Sequence, residues 1–175
     1  FSDNLSFEHD NLEILDIRLN SFKDKETFFD SKCISGLFNL KALSLCSTCE
    51  VKFIDFNYDF LSRLESLTLH LYYFFQSNLS LSKLCNLKIL DLDLSNMNST
   101  IIDANNILKG LKKLEILKFT YFSDSFEISS NFFSDLENLT HLKLQLLKLI
   151  EINPEWFTNI TKLMSLDLSD NQINQ

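Results

Sequence analysis

The chain has 175 residues, a formal net charge of −8 and 45% apolar residues, the proportions of one ordinary folded domain. It holds only two glycines, Gly36 and Gly110, and one proline, so it cannot build a G-x-G-x-x-G dinucleotide loop, a P-loop or a G-x-S-x-G nucleophile elbow. The acidic balance argues against a phosphate-backbone footprint, and no apolar run reaches the ~20 residues of a membrane span. Leucine is the counterweight, with 34 residues, and a composition this lopsided points to repetition.

Read along the chain, the pattern L-x-x-L-x-L recurs seven times, as LEILDI (12–17), LKALSL (40–45), LESLTL (64–69), LKILDL (87–92), LEILKF (114–119), LTHLKL (139–144) and LMSLDL (163–168). The starts lie 28, 24, 23, 27, 25 and 24 residues apart, and the first and fourth positions are leucine in every copy. The L-x-L alternation fits a short strand. From the second copy onward apolar residues also sit six and three positions upstream, as Ile34/Leu37, Tyr58/Leu61, Leu81/Leu84, Leu108/Leu111, Phe133/Leu136 and Phe157/Ile160. Spacing of three suits a turn of 3₁₀ or α helix with one face inward. Each unit is thus expected to be a short strand with a helical or irregular return. Such a unit cannot bury its own apolar face, and stacking the copies creates the core. The sixth-position residues Ile17, Leu45, Leu69, Leu92, Phe119, Leu144 and Leu168 are expected in that core.

These blocks resemble the leucine-rich repeat family, whose consensus continues with x-x-N-x-L. The last copy has Asn171 at the ninth position and Ile173 at the eleventh; the first has Asn20 and Phe22. Elsewhere Thr48, Tyr72, Ser95, Phe122 and Leu147 occupy the ninth position. In the family that asparagine bonds backbone groups of neighbouring turns. An irregular ladder is therefore expected, with Thr48 and Ser95 replacing the amide in part and Phe122 and Leu147 unable to. The implied fold class is an α/β leucine-rich repeat solenoid, a horseshoe with a parallel β-sheet on the concave face and short helical or irregular returns on the convex face. Residues 1–175 read as one array of about seven units. Neither end supplies a capping unit, and Phe1 stands where a start methionine would, so the chain is expected to be a piece of a longer array.

In such a solenoid, block positions three, five and seven point outward from the strands and line the concave face. Position five reads Asp16, Ser44, Thr68, Asp91, Lys118, Lys143 and Asp167; position seven reads Arg18, Cys46, His70, Asp93, Thr120, Gln145 and Ser169. These columns are the candidate binding face, the alternative being a merely solvated sheet. Ile14, Ala42, Ile89 and Ile116 at position three favour a contact surface. Cys46-Ser-Thr-Cys49 lacks the second pair that a zinc ribbon needs. Structural thiols, a disulfide of Cys33 with Cys46 or Cys49, and a metal site are the alternatives. His9, His70 and His141 fall in different units, and His70 and His141 should stand ~14 Å apart, too far for a nucleophile and its base. Neither catalysis nor a cofactor is expected. Trp156, in NPEWF, is expected to pack in the core or at its rim. Sequons at Asn4, Asn78, Asn98, Asn138 and Asn159 lie outside the strand blocks and favour an extracellular setting.

The copies running from Phe133 and from Pro154 resemble the ~24-residue variety of repeat typical of extracellular animal proteins. Unequal units, sequons and frequent loss of the asparagine are similar to Toll-like receptor ectodomains. That resemblance implies an innate-immune receptor module, secreted or outside the plasma membrane, with a protein or a microbial or host ligand on its concave face. It also implies a second receptor chain as partner, and membrane attachment only through segments outside this chain. The rival readings are an intracellular, cytoplasmic scaffold or adaptor, such as the substrate-recognition arm of a ubiquitin ligase, and a microbial surface adhesin.

Overall fold

The computed structural model describes residues 9, 11–20, 27–29, 34–53, 59–74, 80–94, 104–121 and 128–174, with the backbone alone at 27–29, 49–53, 72–74, 104 and 105. Each leucine block yields a strand. These are β1 (Ile14–Leu19), β3 (Ala42–Phe53), β4 (Ser66–Phe74), β5 (Ile89–Leu94), β6 (Ile116–Tyr121), β7 (His141–Gln145) and β8 (Ser165–Asp167), with a three-residue β2 (Thr27–Phe29) between the first two. The order is β1-β3-β4-β5-β6-β7-β8, all parallel, and β2 pairs with the far end of β3. The strand of each block therefore pairs with the strand of the next, as a stacked solenoid requires.

The strands begin two residues later than the leucine blocks, and the backbone shows why. The position-two carbonyl of each unit accepts the position-two and position-three N–H groups of the next: Glu13 O from Lys41 and Ala42, Lys41 O from Glu65 and Ser66, Glu65 O from Lys88 and Ile89. The same arrangement continues through Lys88 O, Glu115 O and Thr140 O. The forked bond starts the ladder at position three. The returns are tighter than helical. Leu37, Leu84, Leu111, Leu136 and Ile160 each donate their N–H to the carbonyl three residues back. Leu40, Leu64, Leu87, Leu114, Leu139 and Leu163, the first residues of their blocks, repeat that bond one step on. Of the 3₁₀ and α turns that the spacing of three allowed, this is the 3₁₀ geometry. The one described α-helix is a single turn, α1 (Ala104–Ile107).

Two features depart from the expected plan. β3 runs for 12 residues, with a register shift between Ser47 and Glu50, and its extension pairs with β2 on one side and Tyr73–Phe74 of β4 on the other. The block pattern gave no sign of β2. At the other end β8 stops at Asp167, so Ser169 is not a strand residue.

The core is a stack of leucines. Leu67, Leu69, Leu90, Leu92, Leu117 and Leu144 are fully buried, and Phe119 fills the sixth position of its unit beside Phe132, which meets Phe133 edge-on. Burial fails only where stacking does. Ile17 and Leu168, expected inside, are half-buried, and Leu166 is 42% exposed, because the first and last units have a neighbour on one side only. Trp156 is buried as expected, but its indole N–H has no hydrogen-bond partner among the described residues. The scarcity of glycine also finds its physical answer. Gly110 takes a left-handed φ of 83°, whereas Leu146, Lys148 and Asp170 adopt φ of 54–59° without being glycine.

Candidate functional site: the concave face and its entry edge

The concave columns assemble as the sequence implied, residue opposite residue. Asp16, Ser44, Thr68, Asp91, Lys118, Lys143 and Asp167 face one another in register across seven strands. Arg18, Cys46, His70, Asp93, Thr120 and Gln145 form the second column across six. The third column carries the apolar contribution: Ile14 is 71% exposed and Ile89 39% exposed. Ser169 leaves the strand and donates its N–H to Asp167 Oδ1 at 2.9 Å, but stays beside the second column because Gln145 Nε2 donates to its hydroxyl at 3.0 Å.

Charge on this face is arranged in short relays. Asp91 is the centre of one, with His70 Nε2 3.0 Å from Oδ1 and Lys118 Nζ donating to Oδ2 at 3.1 Å. The hydrogen bond to Asp91 raises the His70 pKa above its ordinary value against the opposing effect of burial. Burial pushes Asp91 up, but the bonds from His70 and Lys118 outweigh it, and its pKa is lowered. At one end Ser44 donates its hydroxyl to Asp16 at 3.0 Å. At the other Lys143 pairs with Asp167 at 3.0 Å. The Ser169 hydroxyl and N–H, then Lys143, hold Asp167 down to about 2. Lys118 and Lys143 are register neighbours, and each turns away from the other toward an aspartate.

A second built surface escaped the sequence reading. At block position two, Glu13, Lys41, Glu65, Lys88 and Glu115 alternate in sign, with Lys41 bonded to Glu13 at 2.7 Å and Lys88 to Glu65 at 2.8 Å. These bonds raise the pKa of Lys41 and Lys88 and lower that of Glu65. The residue just before each block supplies cross-unit bonds of its own. Arg63 donates to Phe38 O at 2.6 Å, Asn86 Nδ2 to Ser62 O at 2.8 Å and Asn138 Nδ2 to Lys112 O at 2.8 Å. Lys113 and Lys162 in turn donate to the side-chain oxygens of Asn86 and Asn138, at 2.6 and 2.5 Å. The sequence signal is asparagine or a cation before all seven blocks, one position outside the L-x-x-L-x-L pattern.

At the ninth position Asn171 performs the expected role. Its Nδ2 donates to Leu144 O and Leu168 O, both at 2.8 Å, and its Oδ1 accepts from Leu147 N–H at 3.1 Å and Leu149 N–H at 3.4 Å. Thr48 instead donates to the Asn20 side chain at 3.3 Å, and its neighbour Ser47, buried, reaches the preceding unit's Leu19 O at 3.4 Å. Leu147 drops its side chain into the core. Ser95, Phe122 and the Tyr72 side chain lie outside the described residues. A family model described as leucine rich repeat matches residues 122–173, which hold the sixth and seventh blocks. That segment matches the leucine-rich repeat family, and the units before it repeat the same strand-and-return fold.

No curated protein matches its sequence. Among solved structures it is similar to an internalin from Listeria monocytogenes, at 21% identity and a TM-score of 0.53, over 83% of this chain and 46% of that one. The matched region thus spans under half of the internalin's length. The similarity is one of fold, and it does not single out a Toll-like receptor within the leucine-rich repeat family.

The remaining candidate sites of the leucine-rich repeat array sort by accessibility. Among the described residues Cys46 is a free thiol; Cys33 and the side chain of Cys49, the other members of the disulfide alternatives, lie outside them. Cys46 stands on the concave face with its sulfur 3.8 Å from the Ser44 hydroxyl. Among the described residues no three His, Cys, Asp or Glu side chains converge to hold a metal ion, and no helix is long and apolar enough to cross a membrane. His141 bonds its neighbour Thr140 at 2.9 Å and stands three strands from His70. Of the sequons, Asn4, Asn78 and Asn98 lie outside the described residues. Asn138 spends its amide on the entry-edge ladder, whereas Asn159 is exposed.

Proposed function

We propose that this leucine-rich repeat array is a non-enzymatic recognition module that binds a protein partner along its concave face. One observation carries the reading: two polar columns in unbroken register lie beside a third that leaves Ile14 and Ile89 exposed on the same face. Interleaved charge fixes orientation, and exposed branched side chains supply area that gains by leaving water. The rigid sheet means that little order has to be created on binding. The finer reading is an extracellular receptor ectodomain of Toll-like type, supported by the unequal units and the exposed sequon at Asn159. The similarity to an internalin favours a second host for the same surface, a microbial surface adhesin.

The test places a photo-crosslinking amino acid at Thr68 in the first column, or at Lys109 on a return, in the chain secreted from eukaryotic cells. A protein partner captured from Thr68 and not from Lys109, and lost in the K118E/K143E double variant, supports the reading. Equal capture from both positions, or capture indifferent to the two lysines, rejects it.

A further inference from the structure

A groove of about 360 Å³ opens at the entry edge of the sheet, away from the concave columns. Four cations line it, Lys41, Arg63, Lys88 and Lys113, with Glu65 the one carboxylate among the lining residues of a chain whose net charge is −8. The four are not equivalent. Lys41 and Lys88 belong to the alternating row and are paired with Glu13 and Glu65. Arg63 and Lys113 bond only neutral oxygens, Phe38 O and Asn86 Oδ1, and among the described residues neither forms a salt bridge. Their charges are therefore uncompensated at contact distance. At one end of the groove the Phe38 ring is 56% exposed.

The spacing defines what would fit. Phe38, Arg63, Asn86 and Lys113 belong to four successive units, so Arg63 and Lys113 stand two strands apart, ~10 Å at ~4.8 Å per strand. An extended peptide crossing the strand ends advances ~10 Å in three residues. An arginine fork suits a carboxylate, and an exposed ring suits an apolar side chain. We propose that this groove binds an extended acidic segment of a protein partner, with an apolar side chain on Phe38 and carboxylates three residues apart on Arg63 and Lys113. A long polyanion fits less well, because it gains nothing from Phe38 and meets the repulsion of a strongly acidic chain beyond the groove.

The probe is a fluorescein-labelled peptide containing Leu-Glu-Ser-Ser-Glu, titrated with the full chain and read by fluorescence anisotropy. The expected result is saturable binding weakened about tenfold by Arg63→Gln and by Lys113→Gln, weakened by Phe38→Ser, and unchanged by Lys109→Gln on a return. Binding should also fall about tenfold when the peptide's glutamates become glutamines, a comparison that needs no altered protein and so does not depend on any variant's folding. Equal binding of the glutamine peptide, equal weakening by Lys109→Gln, or no binding overturns the proposal. Displacement of the peptide by a sulfated tetrasaccharide at lower concentration than unlabelled peptide overturns the assignment to a protein segment. Because the groove is separate from the concave face, K118E/K143E leaves this binding intact, and either surface can fail without the other.

Discussion

Replacing Asn171 by alanine should loosen one turn of the array and leave the rest unaffected. The amide makes two 2.8 Å bonds to the carbonyls of Leu144 and Leu168 and accepts the N–H of Leu147 at 3.1 Å and, more weakly, of Leu149. At ~1 kcal/mol net for each of the three shorter bonds, and with water recovering one at this half-buried site, the loss is about 2 kcal/mol. The affected turn is strained beforehand. Leu146 and Lys148 hold left-handed φ of 56° and 54°, a conformation costing ~1–2 kcal/mol per non-glycine residue. In a linear array such a loss is local, so the assay is amide hydrogen exchange resolved by residue rather than a melting curve. Exchange at Leu147 and Leu149 should accelerate about thirtyfold, with amides of β3 to β5 unchanged. Thr48→Ala, at the same repeat position, removes only an exposed 3.3 Å bond to Asn20 and should change exchange less than about threefold. A similar response to the two substitutions, or an N171A effect spread over the whole sheet, would refute the reasoning.

His70 should titrate above 6.5 in an NMR pH series, since Asp91 stabilises its protonated form, and should move back down in Asp91→Asn. The sign follows: the stabilisation from this raised pKa is fully present below 6.5 and is lost as pH rises through the folded-state value, so the pair weakens toward alkaline pH. Trp156→Phe removes a buried N–H without a partner among the described residues and should alter stability by less than ~1 kcal/mol by denaturant titration, whereas Leu92→Ala in the same protein should cost ~2–5 kcal/mol. On secretion from a eukaryotic cell, glycosidase-sensitive mass should appear at Asn159 and not at Asn138, and peptide mass spectrometry showing the reverse would contradict the accessibility argument.

The sequence revealed most where one residue type repeats at fixed spacing. Leucine at positions one and four predicts the strands, and apolar residues three and six before them predict a tight return of 3₁₀ or α type, because each is dictated by which side of a stacked unit faces the core. Register followed from the same source, and so did the column from Asp16 to Asp167. The sequence was silent where the cause is not periodic. β2 exists because β3 overruns its unit, which no leucine marks. Ser169 leaves the strand, though not the side of its column, because its N–H bonds the Asp167 side chain, which no leucine spacing encodes. The diagonal bond from His70 to Asp91, rather than to its register partner Asp93, depends on side-chain reach that spacing does not encode.

The central claim is that recognition belongs to the concave columns, and hydroxyl-radical footprinting of the chain with its captured partner tests it most directly. Protection is expected at His70, Ile89 and Ile116 on β4 to β6, with Phe38 and the returns as reactive as in the free chain wherever the entry-edge groove is empty. Protection confined to Ile150, Ile152 and Met164, three of the exposed apolar residues after β7, with the three concave residues unchanged, would contradict that claim.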